Sequence, residues 1–235
     1  MDQEAAAIST ALRTPRAAAV AGILFALLLG LALVLLRVSV PAGQARAGAW
    51  LSNPGRRGAV ALALNLVPFA GIAFLWFIGV VRDRIGQHED RFFATVFLGS
   101  GLLFVAMLFV AAAVAGGLLA DPSIRAGRTP PAEVWELGRI TFVLLNVYAL
   151  RMGAVFIVST TTIGLRTGII PRWLGVTGYV VALALLVSVG LTGWVGLLLP
   201  LWILVLSVDI LLAGLGAKPR PQGQLGDGQA EGRPT

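Results

Sequence analysis

Two charged residues, Arg151 and Asp209, lie inside long apolar stretches of this sequence and offer the most distinctive chemistry. Arg151 lies about halfway through residues 138–163, and Asp209 is the only acid well inside an apolar run. A charge at the centre of a membrane helix costs about 3 kcal/mol, so we expect Arg151 to face the bundle interior, a partner or water. Asp209 is its default partner. The pair predicts an anchor for a carboxylate or phosphate, or a proton-coupled switch. One alternative is a buried ion pair that only fixes the register of the two helices. The other is that Arg151 and Asp209 are solvated separately and do not pair.

Polar side chains near Arg151 follow a helical spacing. Tyr148, Arg151, Ser159 and Thr162 fall within one narrow stripe when about 100° is assigned to each residue. We expect this stripe to face other helices. Asn146 points nearly the opposite way and requires a different neighbour.

Two asparagines, Asn65 and Asn146, lie at similar depth, roughly 10–12 Å from the same end of their stretches. With Pro68, which frees a backbone carbonyl one turn earlier, they could line an outward-facing cavity. The alternative is an amide hydrogen bond between helices, worth about 0.6 kcal/mol.

Six apolar stretches position these residues and fill most of the chain. Hydrophobic residues make up 57% and charged residues 12% of the sequence, with a mean hydropathy of +0.88. About 20 residues of helix cross the roughly 30 Å hydrocarbon layer. The sequence therefore predicts an all-α, polytopic membrane protein with six transmembrane helices in one bundle over 17–215, between an amino-terminal segment (1–16) and a disordered tail (216–235). The stretches are residues 17–38, 58–81, 94–119, 138–163, 173–190 and 194–215.

Basic residues cluster at the ends of the stretches, ten on the side of both termini and seven on the other. The excess favours cytoplasmic termini. Because arginine far exceeds lysine, as in high-GC bacterial genomes, we expect a bacterial plasma membrane protein. Its predicted partners are membrane lipids and either a second copy of the chain or another membrane protein, but no nucleic acid. A ridge of small residues on the first stretch allows close helix packing, within the bundle or in a dimer: Ala18, Gly22, Ala26 and Gly30.

Missing residue types exclude many enzymes. The sequence has no cysteine and one histidine, His88, so bis-histidine haem and thiolate metal sites are excluded within one chain. Neither an H-E-x-x-H motif nor a phosphate loop is present, and Lys218 in the tail cannot form a mid-span Schiff base. A metal site at His88, Glu89 and Asp90 is not expected, because adjacent residues seldom converge on one ion. We expect no enzyme, cofactor or metal.

Two segments resemble a known group of proteins. VRDRIGQHEDRFFATVFLGSG (81–101) and LRTGIIPRWLGVTGYV (165–180) are similar to actinobacterial multi-pass membrane proteins that share a domain of unknown function. In that group Ile-Pro-Arg-Trp-Leu-Gly opens a helix, as residues 170–175 do here. The resemblance implies a six-helix membrane fold and no assigned activity.

The sequence favours a non-catalytic accessory, sensing or assembly component. The alternative is a small transporter or ligand-binding protein that uses Arg151 and Asp209. A water-filled cavity that reaches Arg151 would favour transport, whereas a tightly packed interior would favour the accessory role.

Overall fold

A computed structural model describes residues 15–40, 53–85, 91–122, 132–168, 170–187 and 194–216. Across these ranges the regular secondary structure is helical and no strand occurs, which confirms the predicted all-α class. The predicted amino-terminal segment lies almost entirely outside the described residues, as do the tail beyond Gly216 and the loop that holds His88.

The helices follow the predicted stretches, with ends that extend a few residues further. One of them, α4, continues through a π-helical segment into α5 without a break in the helical backbone. A 3₁₀ turn at Val195–Leu197 leads into the last helix. The helices are α1 (Pro15–Ser39), α2 (Pro54–Ile85), α3 (Arg91–Ala120), α4 (Ala132–Val143), the π segment (Leu144–Ala149), α5 (Leu150–Arg166), α6 (Arg172–Val187) and α7 (Leu198–Gly216).

Five of the described helical runs are long and apolar enough to cross a membrane: α1, α2, α3, the run from Glu136 to Arg166, and the run from Val195 to Ala213. The helix α6 has 16 residues, or about 24 Å, which is shorter than the roughly 30 Å hydrocarbon layer. Residues 188–190 of the predicted fifth span lie outside the described ranges. Large apolar side chains also cover the outside of the helices, such as Leu27, Phe69 and Leu183. These features indicate a multi-pass membrane protein.

The described helices pack as a closed ring. The helix α1 lies between α2 and α7, α3 contacts α2 and α5, and α6 packs against α5 and α7. At one end of the ring, here called the Ser39 end, Val60 and Leu118 pack with the last turn of α1. At the opposite end, here called the Arg166 end, the guanidinium of Arg166 lies 4.6 Å from the ring centroid of Phe93.

Phenylalanine rings fill the centre of the helical ring. Phe74 of α2 lies 4.5 Å from Phe25, 5.2 Å from Phe104 and 4.9 Å from Phe156, measured between ring centroids. All four side chains are fully buried and come from four helices. Aromatic rings at these distances pack favourably in tilted and edge-to-face arrangements. The centre of the bundle is therefore closely packed and apolar at this level.

Glycines allow the helices to approach at several crossings. A methyl group on Gly22 would meet Ser207 of α7 and Phe77 of α2, and Ala18 and Ala26 on the same face are buried. Most of the small-residue ridge of α1 is thus used inside the bundle. The turn from α5 to α6 needs a glycine for another reason, because Gly168 has φ +70°.

The α5–α6 turn explains the local sequence that carries the family resemblance. After Gly168, the backbone N–H of Ile170 donates to the carbonyl of Gly164 at 3.1 Å, and the Ile170 side chain packs on Gly164. The carbonyl of Pro171 then accepts from the N–H groups of Leu174 and Gly175. Pro171 therefore lies immediately before the first residue of α6, Arg172, and the turn forms a tight helical hairpin at the Arg166 end.

Candidate functional site around Arg151 and Arg37

Arg151 lies at the centre of the outward face of α5. Partly exposed residues recur at helical spacing along one face of this helix, although Leu150 and Met152 beside Arg151 are partly exposed too. The residues of this face are Arg151, Val155, Val158, Thr162 and Leu165. The residues between them, such as Gly153, Phe156 and Thr160, are buried. Because Arg151 lies in the middle of this face and about 140° around the helix from the buried Phe156, it points away from the bundle centre. The structure does not place it in the interior.

Asp209 lies at the edge of α7, on the same side as the buried Trp202, and is partly exposed. In the helical ring, α6 lies between the edge of α7 and α5. Leu199 packs against Gly153, so Asp209 lies about 15 Å further toward the Arg166 end than this contact. Among the described residues, no hydrogen bond or salt bridge joins Arg151 to Asp209. The structure does not bring the predicted pair together.

The other members of the predicted stripe have three different environments. Tyr148 belongs to the π segment and is 54% exposed, whereas Ser159 is buried and donates to the carbonyl of Val155 at 2.9 Å. The Thr162 hydroxyl donates to the carbonyl of Val158 and lies 2.9 Å from the hydroxyl of Tyr179 on α6. Spacing of 100° per residue does not hold through the i→i+5 bonds of a π segment. Only Arg151 and Thr162 share the outward face of α5, with Tyr148 near them.

The two asparagines are not neighbours in one cavity. Asn65 is exposed, and its amide donates to the carbonyl of Ala61 on its own helix at 2.8 Å. Asn146 lies in the π segment, where its side-chain oxygen accepts a hydrogen bond of 3.0 Å from Nη2 of Arg37. The predicted hydrogen bond between helices thus exists for Asn146, with a different partner.

Arg37 is a residue that the sequence analysis treated only as a charge at a helix end. It lies in the last turn of α1 and is partly buried. A cavity of about 10 Å³ next to it reaches Asn146, Leu150 and the 3₁₀ turn at Gly196. Its position in the sequence could have indicated this role, because Arg37 lies within the apolar stretch 17–38 and does not follow its end.

A second, apolar cavity of about 50 Å³ lies beside the first. The two share the side chains of Leu29, Leu33, Leu108 and Leu145. The larger cavity extends between α1, α2 and α3 as far as Thr141 of α4. Arg37 and Asn146 are therefore the polar rim of a mostly apolar space at the Ser39 end.

Two buried hydroxyls were also missed by sequence reasoning. Thr161 and Ser207 are fully buried, and neither hydroxyl has a hydrogen-bond partner in the described structure. Each faces a glycine of the neighbouring helix, Gly178 for Thr161 and Gly22 for Ser207. Cα–H···O contacts of this kind recur where helices cross closely. Their placement indicates a role in packing.

The chemistry available at these positions is that of binding. In the described part of the chain, no group of three or more His, Cys, Asp or Glu residues is placed to hold a metal ion. None of the protein families, curated proteins or solved structures compared with the chain matches it. The resemblance to the actinobacterial group stays a prediction.

Proposed function

We propose that this protein is a non-catalytic assembly component of the bacterial plasma membrane that binds a partner helix through the outward face of α5. In this proposal the bundle crosses the membrane six times and both termini are cytoplasmic. The observation that carries it is the position of Arg151, on the outside of a bundle whose centre is filled with phenylalanine rings.

The depth of Arg151 supports a protein partner. Arg151 lies about 22 Å along the helix from Arg166, so its backbone is within the hydrocarbon layer. In the described residues, Arg151 has no side-chain hydrogen bond or ion pair. A charge exposed to lipid costs about 3 kcal/mol at the centre of the hydrocarbon layer and less toward its boundary. A carboxylate on an adjacent helix would offset this cost.

A second copy of the chain does not supply that carboxylate. Asp209 is the only acid well inside an apolar run, and it lies closer to the Arg166 end than Arg151 does. Two parallel copies therefore place Arg151 and Asp209 at different depths. The partner that fits is a different membrane protein with an acidic residue near the depth of Arg151.

Hydroxyl groups lie at two levels of the same surface, one beside Arg151 and one about 16 Å further along α5. Tyr148 is 54% exposed and Tyr179 is 40% exposed, and the hydroxyl of Tyr179 is hydrogen-bonded to Thr162. Tyrosine combines a large apolar contact area with a polar tip, which suits a contact between helices. Arg151 and Tyr148 lie toward one end of this surface and the hydrogen-bonded Thr162 and Tyr179 toward the other, with the apolar Val155 and Val158 between them.

Co-purification tests the assembly role. The protein is isolated from the membranes of its own cell in mild detergent, and associated proteins are identified by mass spectrometry. We expect a second membrane protein that is retained by the native chain and by Arg151→Lys but lost from Arg151→Gln. Arg139→Gln is the matched control, because Arg139 is exposed and already paired with Glu136 on its own helix. Equal retention by Arg151→Gln, or a native chain that carries only lipid, would contradict the proposal.

The alternative of a small transporter requires a water path between Arg151 and Asp209. A sequence without cysteine allows a direct test by single-cysteine labelling. Ala154 is fully buried on α5. Labelling of Ala154→Cys by a charged thiol reagent at the rate of exposed Asn53→Cys would favour transport; protection would favour the packed bundle.

A further inference from the structure

Arg37 is a cation held beside a cavity by one neutral partner. Its Nη2 atom donates to Oδ1 of Asn146, 109 positions along the chain, at 3.0 Å. In the described part of the chain, no carboxylate lies within ion-pair distance of Arg37. The guanidinium has five N–H donors, and this bond uses one of them. The planar group is thus available to an anion with several acceptor oxygens, such as a phosphate or a carboxylate.

The surroundings of Arg37 are apolar on the side of the bundle. Leu29, Leu33 and Leu108 line both the cavity beside Arg37 and the larger cavity of about 50 Å³. Cavities of about 10 and 50 Å³ hold a few atoms at most, so the alkyl chains of a bound lipid would lie outside them, in the surrounding hydrocarbon layer. A free inorganic anion has no part that this layer would hold beside Arg37.

The depth of the site fits a lipid headgroup. Arg37 lies about 31 Å along α1 from Arg16, and Asn146 lies about 30 Å from Arg166. Since the hydrocarbon layer is about 30 Å thick, both residues are at its boundary with the headgroups at the Ser39 end. Arginines at this level contact lipid phosphates.

The π segment presents Asn146 toward α1. Single-turn π segments within α-helices occur frequently at functional sites. Here the segment spans Leu144–Ala149, and it contributes both the oxygen that holds Arg37 and Leu145 of the apolar wall. The polar and apolar parts of the site therefore depend on one local distortion of the helix.

We propose that Arg37, oriented by Asn146, binds the phosphate of an anionic phospholipid at the Ser39 end, with the alkyl chains of the lipid in the adjacent hydrocarbon layer. The site lies about 7 Å nearer the Ser39 end than Arg151 and uses none of the α5 contact residues. Its test is therefore independent of the assembly role.

Native mass spectrometry of the full chain in detergent, titrated with phosphatidylglycerol or phosphatidylcholine, measures the binding. We expect phosphatidylglycerol to bind the native chain more tightly than phosphatidylcholine, and Arg37→Gln to weaken phosphatidylglycerol binding by about tenfold, because hydrogen bonds to charged groups are among the stronger ones. Arg139→Gln, at the same end, is expected to bind like the native chain. Equal binding of the two lipids, or an Arg37→Gln chain that binds phosphatidylglycerol normally, would overturn the proposal.

A second variant keeps the test valid if Arg37→Gln does not fold. Asn146→Asp preserves the shape of the side chain and gives Arg37 a permanent carboxylate partner. We expect this variant to lose phosphatidylglycerol binding by about tenfold because the cation is already neutralised. Native affinity in this variant would contradict the proposal.

Inorganic phosphate distinguishes the two sources of the anion. At matched phosphate concentration, we expect it to leave bound phosphatidylglycerol in place, because the apolar contacts are absent from the free ion. Displacement of the lipid by inorganic phosphate would assign the site to a free anion and overturn the lipid proposal.

Discussion

Arg151 and Phe156 lie on nearly opposite faces of the same helix, α5. Phe156 packs against Phe74 and Phe97 in the bundle centre, whereas Arg151 lies on the partly exposed outer face. In a soluble protein the polar face would be expected outside, and here the same arrangement occurs at membrane depth. The comparison teaches that a charge within a membrane span does not by itself mark an internal site, because it can lie on the outer face of the bundle.

We expect the largest loss of folding free energy when a ring is removed from the buried phenylalanine cluster. Phe74→Ala removes a ring that contacts those of Phe25, Phe104 and Phe156, and large-to-small substitutions of buried phenylalanine cost about 3–5 kcal/mol. We expect the denaturant midpoint of the reconstituted protein to fall accordingly.

Phe69→Ala is the control on the same helix, because the Phe69 side chain is 62% exposed. Its effect on the midpoint is expected to be small. A similar loss from both variants would mean that the phenylalanine cluster is not the packed centre of the bundle.

Substitution of Arg151 on the outward face of α5 should keep or raise the stability of the protein, whereas substitution in the phenylalanine cluster lowers it. Arg151→Leu replaces a charge that has no partner in the described part of the chain, so we expect the isolated protein to keep its stability or gain up to about 3 kcal/mol. Thermal unfolding of the purified protein in detergent measures this change. Arg37→Leu, which loses the bond to Asn146, is expected to lower stability by about 1 kcal/mol. Destabilisation by Arg151→Leu would place Arg151 in a structural contact.

The small-residue ridge of α1 has a closely packed position, Gly22, and an open position, Gly30. Gly22→Val inserts atoms against Ser207 and Phe77, and overpacking of this kind costs about 1–3 kcal/mol. Gly30→Val adds the same side chain where no atom lies within 4 Å of the added Cβ. We expect thermal unfolding to show a loss for Gly22→Val alone. Equal effects at both glycines would contradict the closed packing of α1.

The smallest expected effect concerns the hydroxyl contact between α5 and α6. Thr162→Val and Tyr179→Phe each remove one partner of the bond between the two hydroxyls. A double-mutant cycle should give a coupling free energy of about 0.6 kcal/mol, the usual value for a hydrogen bond between membrane helices. A coupling of zero would place the two side chains apart.

Several features could be predicted from the sequence because they depend on local chemistry. The helix bounds follow the lengths of the apolar runs, and the start of α6 follows from Pro171. The free-energy cost of placing Arg151 within a membrane span could also be predicted, since it depends only on a charged residue in an apolar run. The number of spans was less well determined, because α6 has 16 residues and falls short of the usual length.

The direction in which each polar residue points was decided by the tertiary structure. Helical spacing fixes which residues share a face, but the rotation of that face about the helix axis depends on the side chains of the neighbouring helices. Arg151 therefore turned outward, away from Asp209, and Asn146 met Arg37 from a distant part of the chain. The sequence by itself determined that apolar runs form membrane-length helices, since backbone groups in lipid must bond within their own helix. Only the packing of those helices decided which polar groups meet, because that requires contacts between residues far apart in the chain.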